Sequence, residues 1–220
     1  MNGTPHKILQ CFLCLLLYGL PGVAGAQEEV QGIASQAESG NSAAAKLKED
    51  MRKLWTDLTV WTRSYIVSAA AGLEDQRDVV ARLLKNQEDI GNAFKPYYGD
   101  AAGSQLTKLL NEHLRIAEKV VEAAKNQQQV ELKNLYTDWY QNADDIADLL
   151  SSLNMNWTLN ELRDLLHAHL QQMTDVVDAR LKKDGSAEIA AFDQGEDNIL
   201  LVADTLTEGI VKQFPQQFSE

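Results

Sequence analysis

Cysteine is confined to Cys11 and Cys14, near the start of a 220-residue chain. A disulfide framework across the remaining residues is therefore excluded, and any fold must hold by core burial alone. Proline is almost as scarce, with four residues and none between Pro96 and Pro215, so long helices can run there without interruption. No apolar stretch approaches the ~20 residues that a membrane-spanning helix requires. Positive charge is also short: 20 Lys and Arg stand against 32 Asp and Glu, a net charge of −12. That balance argues against nucleic acid, which wants a basic footprint, and against anionic membrane surfaces. It suits a solvated acidic surface, association with cations or a basic partner. Gly-rich phosphate loops, nucleophile elbows and zinc helix motifs are missing, and no cysteine pair lies beyond the first 14 residues. The common nucleotide-binding, hydrolase and redox classes lose their motifs with them.

Residues 1–26 read as a secretory signal. Lys7 gives a positive start, Ile8 to Leu17 is apolar except for Gln10, and Pro21-Gly22 breaks any helix. Ala24-Gly25-Ala26 then supplies the small residues a signal peptidase needs. The apolar run is too short for an anchor. The expected location is secreted and extracellular, or periplasmic if the source is bacterial. Cleavage after Ala26 would remove Lys7 and both cysteines, taking the net charge to −13.

Residues 27–45 are rich in Gln, Glu, Ser, Gly and Ala, with little to bury, and are expected to form a flexible leader. From Lys46 the period becomes helical, with Leu47, Met51, Leu54, Leu58, Trp61 and Tyr65 at three- and four-residue steps. Gly72 ends this helix. Further helices are expected over residues 75–94, 101–125, 130–153, 158–183 and 187–213. The breaks fall at Lys95-Pro96-Tyr97-Tyr98-Gly99, at Asn154 to Trp157, at Lys183-Asp184-Gly185 and at Pro215. Thr158, with Glu161 three residues on, predicts a capping box. The predicted fold is all-α: residues 46–220 as one antiparallel bundle of about six helices.

Two segments repeat at a fixed offset of 56 residues. Asn86-Gln87-Glu88-Asp89-Ile90 matches Asn142-Ala143-Asp144-Asp145-Ile146, and Leu109 to Leu114 matches Leu165 to Leu170. Val120-Val121 then matches Val176-Val177. Looser echoes at Leu54 to Leu58 and at Asp193 to Asp197 suggest three related helical hairpins. The repeat carries polar residues to core positions: His113, His169, Asn86, Asn142, Asp57 and Asp193. Three readings fit them: a hydrogen-bonded network fixing helix register, a metal or small-ligand site, or a site using histidine as acid or base. His167 and His169 are two apart and face different sides of their helix. Asp144, Asp145 and Asp148 lack the loop of a calcium site and read as a solvated face. Asn156-Trp157-Thr158 is a glycosylation sequon in an inter-helix loop, with meaning only in a eukaryotic source.

Several runs carry a further resemblance: Leu54-Trp55-Thr56-Asp57-Leu58-Thr59-Val60-Trp61-Thr62-Arg63, Asn86-Gln87-Glu88-Asp89-Ile90-Gly91, Pro96-Tyr97-Tyr98-Gly99, Leu110-Asn111-Glu112-His113, Trp139-Tyr140-Gln141-Asn142-Ala143 and Gln213-Phe214-Pro215. Together they resemble a family of uncharacterised small helical-bundle proteins of bacteria and archaea, over roughly Leu54 to Phe218. Some members carry enzyme names, glycosyltransferase or acetylglutamate kinase, which nothing in these residues supports. The family pattern places histidines where this chain has Leu58 and, near the last helix, Glu196. The resemblance therefore implies a shared polar or metal centre of which only part is kept here.

The leading functional expectation is a non-enzymatic, acidic, extracellular protein acting as a matrix component or binding module. The alternative is a bundle that binds a metal ion or small ligand through the core His, Asn and Asp residues. A secreted enzyme of unknown class is the second alternative.

Overall fold

The computed structural model describes the backbone of residues 23–219 and the side chains of residues 43–219. The expected signal, with both cysteines, lies outside the described residues except for its last four. Helix α1 spans Val23–Ala71 and so takes in residues 27–45; the first of its described side chains to pack against the core is Leu47. Helix α2 is Gln76–Lys125, α3 is Gln129–Leu153, α4 is Leu159–Leu181 and α5 is Gly185–Gln213, followed by a short 3-10 turn at Pro215–Gln217. There is no strand among the described residues. The chain is a helical bundle.

Five helices replace the six expected, and the difference lies in α2. Pro96 sits inside it and only Gly99 leaves helical geometry, at φ 81° and ψ 168°. That region is open to glycine and strained for residues with a Cβ. One residue there is enough to turn the chain back on itself. A Cβ added to Gly91 would lie 2.6 Å from the Gly103 carbonyl oxygen, whereas 12 residues of straight helix would separate them by about 18 Å. The arms of α2, residues 76–98 and 100–125, therefore form a hairpin whose two glycines let the backbones touch.

Hydrogen bonds between neighbours give the order of the six segments. The Asn86 amide donates to the Leu54 carbonyl, Asn142 to Leu109 and Asn198 to Leu165. Those bonds pair α1 with the first arm of α2, the second arm with α3, and α4 with α5. Arg163 reaches Asp148 from α4 to α3. Arg52 grips both oxygens of Asp204, and Arg63 bonds Glu188, closing α5 against α1. The result is a closed ring of six antiparallel segments around one core.

Loop chemistry follows the expected breaks with one correction. Gly72 is left-handed at φ 68°, as a helix terminator should be. The Thr158 hydroxyl accepts from the Glu161 amide and caps α4. After α4, however, the left-handed residue is Lys183, while Gly185 already begins α5 behind the Asp184 cap. The carboxylate of Asp184 accepts from the Ala187 amide, so the cap of the next helix rather than a glycine sets the turn. One end of the ring is closed by aromatics: Tyr98 packs on Phe94, Trp157 and Phe214, and Tyr97 on Phe214 and Phe218.

The Gly91 crossing yields a test. Gly91→Ala should lower unfolding free energy by about 1–3 kcal/mol through the clash with Gly103 and the Thr107 hydroxyl, although alanine is the better helix former. Urea denaturation of the two proteins measures it.

Candidate functional site

The centre of the ring holds a cavity of ≈50 Å³, lined from every segment: Trp55 and Leu58 of α1, Gln87 and His113 of the two α2 arms, Trp139 of α3, His169 and Met173 of α4, and Ile199 of α5. Its walls are mostly apolar, which follows from the inward heptad-like faces of six helices. Five of the lining residues carry a buried polar atom without a hydrogen-bond partner in the protein: the indole nitrogens of Trp55 and Trp139, Gln87 Oε1, His113 Nε2 and His169 Nδ1. A lone atom of this kind costs about 1–3 kcal/mol, so five such residues around one small space make it the candidate for a guest.

His113 is held firmly on its other side. Its Nδ1 lies 2.8 Å from Asn142 Oδ1, and the Asn142 amide nitrogen donates to the Leu109 carbonyl at 3.1 Å. That second bond fixes the amide orientation, so the oxygen faces His113 and Nδ1 must carry the proton. The lone pair is then on Nε2, the atom without a protein partner. His169 lies beside it, with ring centroids 6.1 Å apart, and Trp139 packs on His113 at 5.4 Å.

Burial dominates the titration of both rings. Desolvation pushes His113 down to about 4, partly offset by the bond to Asn142. It pushes His169 to about 3, with the nearby His113 opposing a second positive charge. Both imidazoles are neutral at physiological pH and act as lone-pair donors. Tyr65, also on the cavity wall, is raised to about 12 by burial and by Glu118 and Glu122.

The remaining sequence candidates separate. Asn86 is buried and clamps Leu54, with its Oδ1 unpartnered, but it does not line the cavity. Asp57 turns outward and pairs with Lys53 and Arg82. The cause is register: Asn86 grips a carbonyl 32 residues back, whereas Asn142 and Asn198 reach back 33. Leu58 therefore takes the position that His113 and His169 hold elsewhere, and it does line the cavity. Asp193 is exposed on α5. Asn156 is exposed in the 154–157 loop, its amide nitrogen donating to Asn154 Oδ1. His167 faces away from the core, bonded to Asp144 at 2.8 Å with Arg163 beside the same carboxylate.

Sequence reasoning missed Asn198, although adding the 56-residue offset to Asn142 lands on it. Gln87 and Met173 carry no signal of their own in the sequence, since a glutamine beside Asn86 and a methionine on the apolar face after His169 read as ordinary helix positions. Among the described residues no group of three or more His, Cys, Asp and Glu side chains could hold a metal. The His113 and His169 rings lie 6.1 Å apart, centroid to centroid, and Met173 follows His169 by one helical turn on the same cavity wall. No helix among the described residues is long and apolar enough to cross a membrane. No family model, curated protein or solved structure matches the chain.

Two outcomes are expected from this geometry. Below pH 6.5 an unfolded histidine takes up a proton that the folded one refuses until about pH 4 for His113 and about 3 for His169. Stability is therefore complete above pH 6.5 and falls as pH drops, by on the order of 3 kcal/mol from His113 alone by pH 4. Thermal melts from pH 7 to pH 4 should show that decline, and a His113→Leu, His169→Leu double variant should flatten most of it. Separately, Asn142→Leu strands the His113 Nδ1 proton and should cost about 1–3 kcal/mol, measured by urea unfolding.

Proposed function

We propose that this chain is a non-enzymatic binding protein whose helical bundle takes up one small ligand in its central cavity. The observation that carries the reading is a central space of ≈50 Å³ lined by Trp55, Gln87, His113, Trp139 and His169, each of which has a buried polar atom without a hydrogen-bond partner in the protein. A water needs roughly 10–15 Å³ of such space and two to four polar partners, so the cavity suits a guest somewhat larger than one water. Its lining residues include Trp55 and Trp139, whose indole N–H groups have no partner, and Gln87 and His113, whose Oε1 and Nε2 have none, among apolar side chains. A compact neutral molecule with both polar and apolar contacts is the chemistry that matches.

A non-catalytic role is supported by the surroundings of the imidazoles. No carboxylate lines the cavity, so neither ring has an acid or base partner there to relay a proton. The signal-like residues 1–26 support a secreted, extracellular setting, and the net charge of −12 supports an acidic, solvated exterior. We also infer three related hairpins: Asn86, Asn142 and Asn198 are spaced by 56 residues and bond the same kind of carbonyl on the preceding segment.

The competing reading, a structural or matrix bundle, is favoured by the same asparagine bonds, which fix helix register whether or not a guest binds. Titration with small neutral solutes bearing one hydroxyl or amide separates the two, read by indole emission and by the Trp55 and Trp139 N–H resonances. A saturable shift at both indoles, abolished by filling the cavity with Ala117→Leu, is expected. Resonances that never respond, in a protein that stays folded, would leave the structural bundle as the account.

A further inference from the structure

We infer that Asn156 is a glycosylation site, carrying an oligosaccharide on its side-chain nitrogen in the protein as secreted. The inference is independent of the central cavity. It rests on the secreted setting proposed above, by a eukaryotic secretory route.

Asn156-Trp157-Thr158 fits the Asn-x-Ser/Thr acceptor pattern and is the only such triplet in residues 27–220. Asn2-Gly3-Thr4 also fits, but it falls in the signal-like segment and would leave with it. A triplet alone is a weak signal, so its surroundings decide. Asn86, Asn142 and Asn198 spend their amide nitrogens on carbonyls of neighbouring helices. Asn156 is exposed in the link between α3 and α4. Asn154 and Trp157 on either side of it are each 1% exposed, and the Trp157 indole N–H donates to the Thr205 carbonyl at 3.1 Å. Met155, between the two asparagines, is 92% exposed. The link is thus pinned at both ends, and its crest projects clear of the bundle.

The hydrogen bonding at Asn156 suits attachment. Its Nδ2 donates to Asn154 Oδ1 at 2.9 Å, and its backbone N–H donates to the same oxygen at 2.9 Å. A side-chain amide nitrogen has two hydrogens, and a sugar replaces one of them. The hydrogen that remains is enough for the bond to Asn154, so the turn stands with the sugar in place. The donor is a lipid-linked oligosaccharide diphosphate, used by a membrane-bound transferase. The Asn156 nitrogen loses a proton and bonds C1 of the first sugar, while the C1–O bond breaks and the lipid diphosphate leaves with its electron pair.

The fold also sets the timing. The Thr158 hydroxyl accepts from the Glu161 amide as the cap of α4, and a Cβ on Gly209 would lie 1.9 Å from the Trp157 indole nitrogen. The whole triplet is therefore open to an enzyme only before α4 and α5 close on it, and transfer precedes folding.

The test recovers the chain from its own cells and their medium. Its N-terminus and intact mass are read before and after an amidase that releases asparagine-linked glycans. A mass above that of the polypeptide is expected, removed by the amidase with Asn156 converted to aspartate. Asn156→Gln should abolish it, and so should Thr158→Asp, which keeps a capping side chain on α4. Thr158→Ser, which keeps both cap and acceptor pattern, should retain it. Added mass that persists in Asn156→Gln overturns the assignment. A secreted chain beginning at Gln27 without added mass defeats the glycan and leaves the secreted reading standing. A chain held inside the cell, unmodified and still carrying residues 1–26, defeats both.

Discussion

A side-chain amide bonded to the backbone carbonyl of a neighbouring helix is the contact on which the arrangement of this bundle turns. Helix carbonyls are already engaged in their own ladders, so an amide reaches a second lone pair only where two helices approach at one height. Asn86, Asn142 and Asn198 each do this. They lock three pairs of segments in register in a chain with no cysteine after Cys14. Apolar packing alone tolerates small axial slips between helices, since one turn of leucines resembles the next. A buried amide that would lose its partner in the slipped state does not.

Closing the ring takes most of its central space out of solvent, and that burial sets the chemistry. The same desolvation that keeps His113 and His169 uncharged leaves their nitrogens able to donate electron pairs at neutral pH. Glu188 shows the opposite solution to burial. It is 3% exposed near one end of the ring, and arginines from two other helices, Arg63 and Arg180, compensate its charge. Charge is paired at the periphery, and neutral polar atoms are kept at the middle.

Much of this was legible in the residue pattern. Leu47, Met51 and Leu54 recur at helical steps and do pack on or in the core. Thr158 caps where a hydroxyl followed by Glu161 should, and His113 meets Asn142 as two inward polar residues on neighbouring helices can. What escaped depended on three-dimensional register. The helical steps already put Leu58 on the inward face beside Leu54 and Trp61; the 56-residue offset, which points to Asp57, fails there by one residue because α1 pairs with α2 in a different register. The break between Pro96 and Gly99 was legible as well, but not how little chain it uses: a single glycine dihedral accomplishes the whole reversal. Gln87 and Met173 gain meaning only once six helices converge on one point.

The economy of that reversal has a mechanical consequence. A turn with one non-helical residue, backed by glycine-to-glycine contact, leaves the two arms of α2 no slack to part. The link from α3 to α4 is longer, running from Asn154 to Thr158, and an open cleft already lies along those two helices beside Tyr136, Tyr140 and Thr174. Room at the surface is left instead on either side of α3, along its seam with α4 and along its seam with the second arm of α2.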